Sequence, residues 1–158
     1  MGQTLAFTTA GTILGVSATA PATFNAAGYA ALTFTEIKEI TNFGEIGRVY
    51  NEVLHNPVGS RETFKFKGSY NDGALQLTMA KAPTDPGQVI LMAALNSDSD
   101  YYFEMELNDN PDGTSNTIIY FPGKVMSAPD SIGGADSVVG KTINISVNGS
   151  LIEVAAVG

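Results

Sequence analysis

The residues able to do chemistry are few. The chain has one histidine, His55, and no cysteine, so neither a disulfide nor a Cys/His zinc cluster can form. A catalytic or ligating imidazole needs convergent partners, and His55 sits beside Asn56-Pro57 in a polar stretch without them. It reads as an exposed loop histidine. No serine lies in a Gly-x-Ser-x-Gly elbow, and no glycine-rich phosphate loop is present. Asn108, Asn110, Asp112 and Gly113 fall at positions 1, 3, 5 and 6 of a calcium-loop pattern, but Ile119 stands where the bidentate Glu is required. That segment reads as a β-turn. Asn144-Ile145-Ser146 and Asn148-Gly149-Ser150 match glycosylation sequons, which carry meaning only in a secreted chain. No catalytic residue, metal or cofactor is expected, and an enzyme is the weakest reading.

Charge carries more information. Sixteen acids against eight bases give a net charge of −8 over 158 residues, and charged residues make up only 15% of the chain. The acidic balance disfavours a basic nucleic-acid reader. The low charge density, with 44% hydrophobic residues, excludes disorder and points to surface hidden against other chains. Arg48, Arg61, Lys65 and Lys67 place four bases within twenty residues, whereas Asp98, Asp100, Glu104, Glu106, Asp109 and Asp112 place six acids within fifteen. Opposite patches of this kind steer and register subunits in a self-assembling protein. Residues 1–35 contain no charged side chain. A secretory signal needs a basic n-region, and no stretch is apolar enough to span a bilayer. A soluble chain made in the cytoplasm, with no membrane partner, is expected.

The elements that would position these groups are mostly strands. Residues 12–17 read as a first strand and 29–40 as a second, with Leu32 and Phe34 on one face. The polar stretch 44–60 has no helical period and reads as a long loop, a length that compact domains keep for function or motion. Residues 62–70 alternate, with Phe64 and Phe66 opposite Lys65 and Lys67. Asn71-Asp72-Gly73 then turns the chain toward Leu75 and Leu77, which predicts a hairpin. Asp85 as cap, Pro86 in the first turn and Gln88 completing a capping-box-like pair predict one helix. Its body, 89–95, is apolar all round and should be covered on both sides. Strands follow at 101–108, with Tyr101, Phe103, Met105 and Leu107 inward and Tyr102, Glu104, Glu106 and Asn108 outward, then at 117–127, broken or bent at Pro122-Gly123, and at 141–147 and 151–154. The fold class expected is a single mainly β domain over 1–158, a sandwich or barrel with one flanking helix.

Several stretches resemble the major tail tube proteins of long-tailed, non-contractile bacteriophages. They are Ala27-Gly28-Tyr29-Ala30-Ala31-Leu32-Thr33-Phe34-Thr35-Glu36-Ile37, Ile40-Thr41-Asn42-Phe43-Gly44-Glu45, and Arg61-Glu62-Thr63-Phe64-Lys65-Phe66-Lys67-Gly68-Ser69-Tyr70-Asn71-Asp72-Gly73. The helix start Asp85-Pro86-Gly87 and the strand ending Tyr120-Phe121-Pro122-Gly123-Lys124-Val125 sit where that family has them. The family is related to the tubes of contractile tails and type VI secretion systems.

The resemblance implies a structural virion protein, a siphophage tail tube subunit forming stacked hexameric rings through which dsDNA passes as cargo. It implies the tape-measure protein, a tail terminator and distal tail proteins as partners, assembly in the host cytoplasm and residence in the virion tail. Loop 44–60 maps onto the family's inter-ring loop, which nominates Glu45, Arg48, Tyr50, Glu52 and His55, with Arg61 just beyond. The apolar helix nominates Val89, Leu91, Met92 and Leu95 for inter-subunit contact, and Glu104 and Glu106 are nominated to face the lumen, where acidic or neutral groups avoid trapping phosphate. The immunoglobulin-like carboxy-terminal domain of some relatives is expected to be absent. The competing readings are a contractile-tail or type VI secretion tube subunit and a β-sandwich carbohydrate-binding module using Tyr101, Tyr102 and Tyr120 as a platform.

Overall fold

In the computed structural model, which describes residues 6–158, strands dominate. The order is β1 (Ile13–Ser17), α1 (Ala26–Ala30), β2 (Thr35–Glu36), β3 (Ile40–Asn42), β4 (Val49–His55), β5 (Phe64–Asn71), β6 (Ala74–Ala80), α2 (Pro86–Leu95), β7 (Tyr101–Glu106), β8 (Ile118–Ser127), β9 (Asp130–Ser131), β10 (Gly140–Val147) and β11 (Ile152–Val154). One sheet runs β2-β1-β7-β8-β10-β6-β3, with β11 beside β8 and β9 beside β10, and all its pairs are antiparallel. It curls into a half-barrel, the mainly β architecture expected. The pair β4-β5 stands apart as a second sheet. The uncharged stretch 1–35 is described only from residue 6 onward.

Alternation builds the core. Along β10, Ile143 and Ile145 are fully buried while Thr142, Asn144 and Ser146 stay half-buried on the other face. Leu75, Leu77 and Met79 of β6, Phe103 of β7 and Phe121 of β8 meet them inside the curl. Helix α2 closes the open side by inserting Leu91 and Ala94 into the same cluster. At about 1.5–3 kcal/mol for each fully buried large aliphatic or aromatic side chain, this cluster dominates the folding energy.

Five expectations need correction. Residues 29–40 are not one strand. Asn25 caps a helical turn by accepting from the Gly28 amide at 2.8 Å, and Gly28 packs so closely on Thr23 that a Cβ would lie 1.9 Å from its carbonyl oxygen. Farther on, Glu39 takes a positive φ of 66°, which separates β2 from β3. Residues 44–60 are not a loop without secondary structure, because β4 lies within them. Strand β5 pairs back with β4 rather than forward with β6, so the Asn71-Asp72-Gly73 turn joins two sheets instead of closing a hairpin. Strand β8 runs unbroken through Pro122-Gly123, where a Cβ on Gly123 would come within 2.7 Å of Ile145. Finally, the Asp85 carboxylate caps α2 by accepting from the Gln88 amide at 3.1 Å, but the Gln88 side chain donates to the carbonyls of Lys38 and Ala80 instead of returning to Asp85.

Candidate assembly surfaces

The β4-β5 arm is the feature that the rest of the molecule does not cover. All seven residues of β4 are exposed, as are all of β5 except half-buried Gly68. Register pairs Val53 with Phe66 and His55 with Phe64, which places these four on one face. Phe66 is 57% exposed and Leu54 58%. Tyr50 packs on Tyr70 with ring centroids 5.4 Å apart, and His55 lies 6.5 Å from Phe66. Lys67 sits over the Tyr50 ring at 4.8 Å and Lys65 pairs with Glu52 at 3.5 Å. An isolated two-stranded ribbon is marginal in water, and an exposed apolar patch of this kind marks an interaction surface.

The arm leaves the half-barrel through Gly47, whose surroundings are open, and returns through Gly73 at φ 81°. Between these hinges Arg48 donates to Asp72 at 3.0 Å and lies over the Tyr70 ring at 4.0 Å. The Asp72 side chain is 1% exposed, and its second carboxylate oxygen has no hydrogen-bond partner among the described residues. Of the nominated residues, Glu45 precedes the arm, Arg48 stands at its root, Tyr50, Glu52 and His55 lie on β4, and Arg61 lies in the connection at its tip.

Helix α2 divides the other nominees. Leu91 is fully buried in the chain's own core, which corrects its assignment to inter-subunit contact. Leu95 is half-buried against that core, whereas Val89 is exposed and Met92 half-buried. Val89 and Met92 border a cleft with Lys81, Ala82, Pro83, Gln88, Asp130 and Lys141. There the Asp130 carboxylate bridges Lys81 at 2.9 Å and nearly buried Lys141 at 2.6 Å, and these two ammonium groups hold its pKa below the usual carboxylate value.

Glu104 and Glu106 lie on the sheet face away from the main core, but that end is roofed. Tyr29 from α1, Tyr102 and Tyr120 form a buried cluster with Leu32 and Phe34 packed on it. Tyr29 stacks on Tyr120 at 5.3 Å. Tyr102 is therefore buried rather than outward to solvent. Burial, then Tyr102 and Asp100, push the Tyr29 hydroxyl up to about 12. Burial, then the nearby Glu106, raise the Glu104 carboxyl above its ordinary value against a hydrogen bond with the Tyr120 hydroxyl. Asp100 is pulled up by burial, yet Lys124 and Asn148 outweigh this and hold it low. Farther along the same face, Gln76, Thr78, Thr142, Asn144 and Ser146 form a bare, uncharged surface across β6 and β10. Sequence reasoning missed that surface, although its signal was present in the polar positions alternating with Leu75, Leu77, Ile143 and Ile145. The calcium-like segment is a turn whose side chains are spent within the protein: Asn110 donates to the carbonyls of Ser115 and of distant Val157, and Asp109 accepts from Thr117.

Neither a protein-family profile nor a curated protein sequence matches the chain. Solved structures do. A chain of the anti-feeding prophage baseplate, determined with six-fold symmetrisation, superposes with a TM-score of 0.72 at 12% identity, over 98% of this chain and 98% of its own. The SPP1 tail tube protein superposes at 0.69 with 14% identity, over 93% of this chain and 78% of its own. A chain from the tail of an empty gene transfer agent particle with C6 symmetry gives 0.63 at 12% identity, over 90% and 95%. All three belong to tail or baseplate assemblies rather than enzymes. At these identities the likeness is one of fold: the chain shares its overall fold with these tail and baseplate chains.

Proposed function

We propose that this chain is the structural subunit of a phage-type tail tube, forming hexameric rings that stack into a conduit for dsDNA. One observation carries the reading: a chain with the tail tube fold projects a two-stranded arm exposed on both faces, a surface that only association covers. In the stack the arm is the inter-ring element, α2 presents Val89 and Met92 to a neighbour, and Glu104 and Glu106 belong to the lumen-directed face together with the uncharged β6-β10 surface. Six-fold symmetry in two of the similar particles supports the ring number. The tape-measure protein, the tail terminator and the distal tail proteins are the expected partners, and the assembled form resides in the virion tail.

Electron microscopy of the purified protein tests this. Tubes or rings are expected at high concentration or on seeding, and a product that stays monomeric under every nucleating condition removes the reading. A second reading, a contractile-type tube, is favoured by the end-to-end match to the anti-feeding prophage chain; a sheath gene beside this one would select it. The carbohydrate module loses its platform, since Tyr102 and Tyr120 are 8% and 4% exposed.

A further inference from the structure

The root of the arm holds an unfinished ion pair. Asp72 is buried, uses one oxygen on Arg48, and leaves the other without a donor. A buried acceptor left unpaired is costly, more so when charged, so a donor is wanted there. Asp72 also walls a cleft with Ile46, Arg48, Ile119, Leu151 and Glu153, and Glu153 gives that cleft a second carboxylate. The site calls for a cation.

The chain carries three bases with no ion-pair partner among the described residues, Lys38, Arg61 and Lys67, and Lys67 already lies over the Tyr50 ring. Arg61 is the one at an extremity, in the arm-tip connection between β4 and β5. A planar guanidinium also suits a two-carboxylate site better than an ammonium does. It cannot reach its own root: the seven residues of β4, at about 3.3 Å each, put roughly 23 Å between tip and root. Charge agrees with an intermolecular contact. From residue 48 to residue 71 the arm carries four bases against two acids, leaving four bases against fourteen acids in the rest of the chain.

We propose that Arg61 of one copy enters the arm-root cleft of a second copy and pairs with the free oxygen of Asp72 beside Glu153. The proposal rests on the tube reading in requiring that copies assemble. Each subunit then offers a tip to one neighbour and a root to another. Such a head-to-tail contact propagates instead of closing on a pair, which is what a growing stack requires.

Because the chain has no cysteine, a variant carrying Ser60→Cys and Ala155→Cys, exposed positions beside Arg61 and Glu153 that leave both groups in place, reports the contact through a short bifunctional thiol crosslinker. A ladder of multimers is expected from assembled material, and assembled material that gives only monomer overturns the pairing. Arg61→Glu and Glu153→Arg should each raise the concentration needed for assembly more than about tenfold, and combining them should restore it. Thermal unfolding of the free subunits should be unchanged, since both side chains are exposed. Arg61→Glu subunits that assemble at the wild-type concentration mean that water alone satisfies Asp72, and the proposal fails while the tube reading stands. A wild-type chain that never assembles overturns both.

Discussion

Strands β5 and β6 are consecutive, similar in length and equally alternating, yet they live in opposite environments. Leu75 and Leu77 of β6 are fully buried, whereas Phe64 and Phe66 of β5 are 44% and 57% exposed. The difference lies in their partners. Strand β6 turns its apolar face into the core cluster that it shares with β7, β8, β10 and α2, and β5 has only β4. Alternation therefore reports that a strand has an apolar side, not that the same chain covers it. In the proposed tube, the uncovered side is where a neighbouring subunit would lie.

This contrast is broken or sharpened by substitutions of decreasing expected effect. Leu77→Ala should cost roughly 2–5 kcal/mol in chemical denaturation, the range for a large-to-small change in a packed core; a loss below about 1 kcal/mol would erase the distinction between the strands. Asp85→Ala should cost about 1–2 kcal/mol, because its carboxylate accepts from both the Gln88 and Lys38 amides and so fixes α2 over the sheet. Glu104→Gln should stabilise the subunit slightly at neutral pH. Its raised carboxyl pKa means that the folded chain holds the proton more tightly than the unfolded one. Stability from this group is present below the unfolded value and lost as pH rises through the folded one. The variant should flatten that decline in thermal unfolding followed across the acid range. Phe66→Ala should change free-subunit stability by no more than about 0.5 kcal/mol while preventing assembly. Hydrogen exchange sharpens the same point: arm amides should exchange quickly in the free subunit and slowly in the tube, with β6 and β10 protected in both.

The sequence made the body legible and the arm illegible, for one physical reason. Where a strand is covered by its own chain, as at β6, β7 and β10, polar and apolar residues alternate and turns mark the ends. In β4 the register shifts between Tyr50 and Glu52, so Val49-Tyr50-Asn51-Glu52-Val53-Leu54 shows no clean period and passes for a loop. The Asn71-Asp72-Gly73 signal was genuine as a turn, but its acid is consumed by Arg48, a contact 24 residues away that no local pattern encodes. Residues 29–40 were misread because their alternation outweighed two local signals, Asn25 as a cap three residues before Gly28 and Gly28 packed on Thr23, and nothing in the pattern marks the positive φ of Glu39. Among the site residues, the exposure of Val89 followed from the all-round apolar helix; the burial of Leu91 required knowing which side the sheet occupies.

The paired glycines at the arm root have a mechanical consequence. With open space around Gly47 and Gly73 already in a left-handed conformation, torsion there meets less resistance than bending anywhere in the hydrogen-bonded half-barrel. A filament of such subunits would concentrate its compliance at these joints, curving between rings as successive arms rotate while each ring keeps its bore. Stiffening one joint with Gly47→Pro would then lengthen the persistence of the filament without altering its diameter.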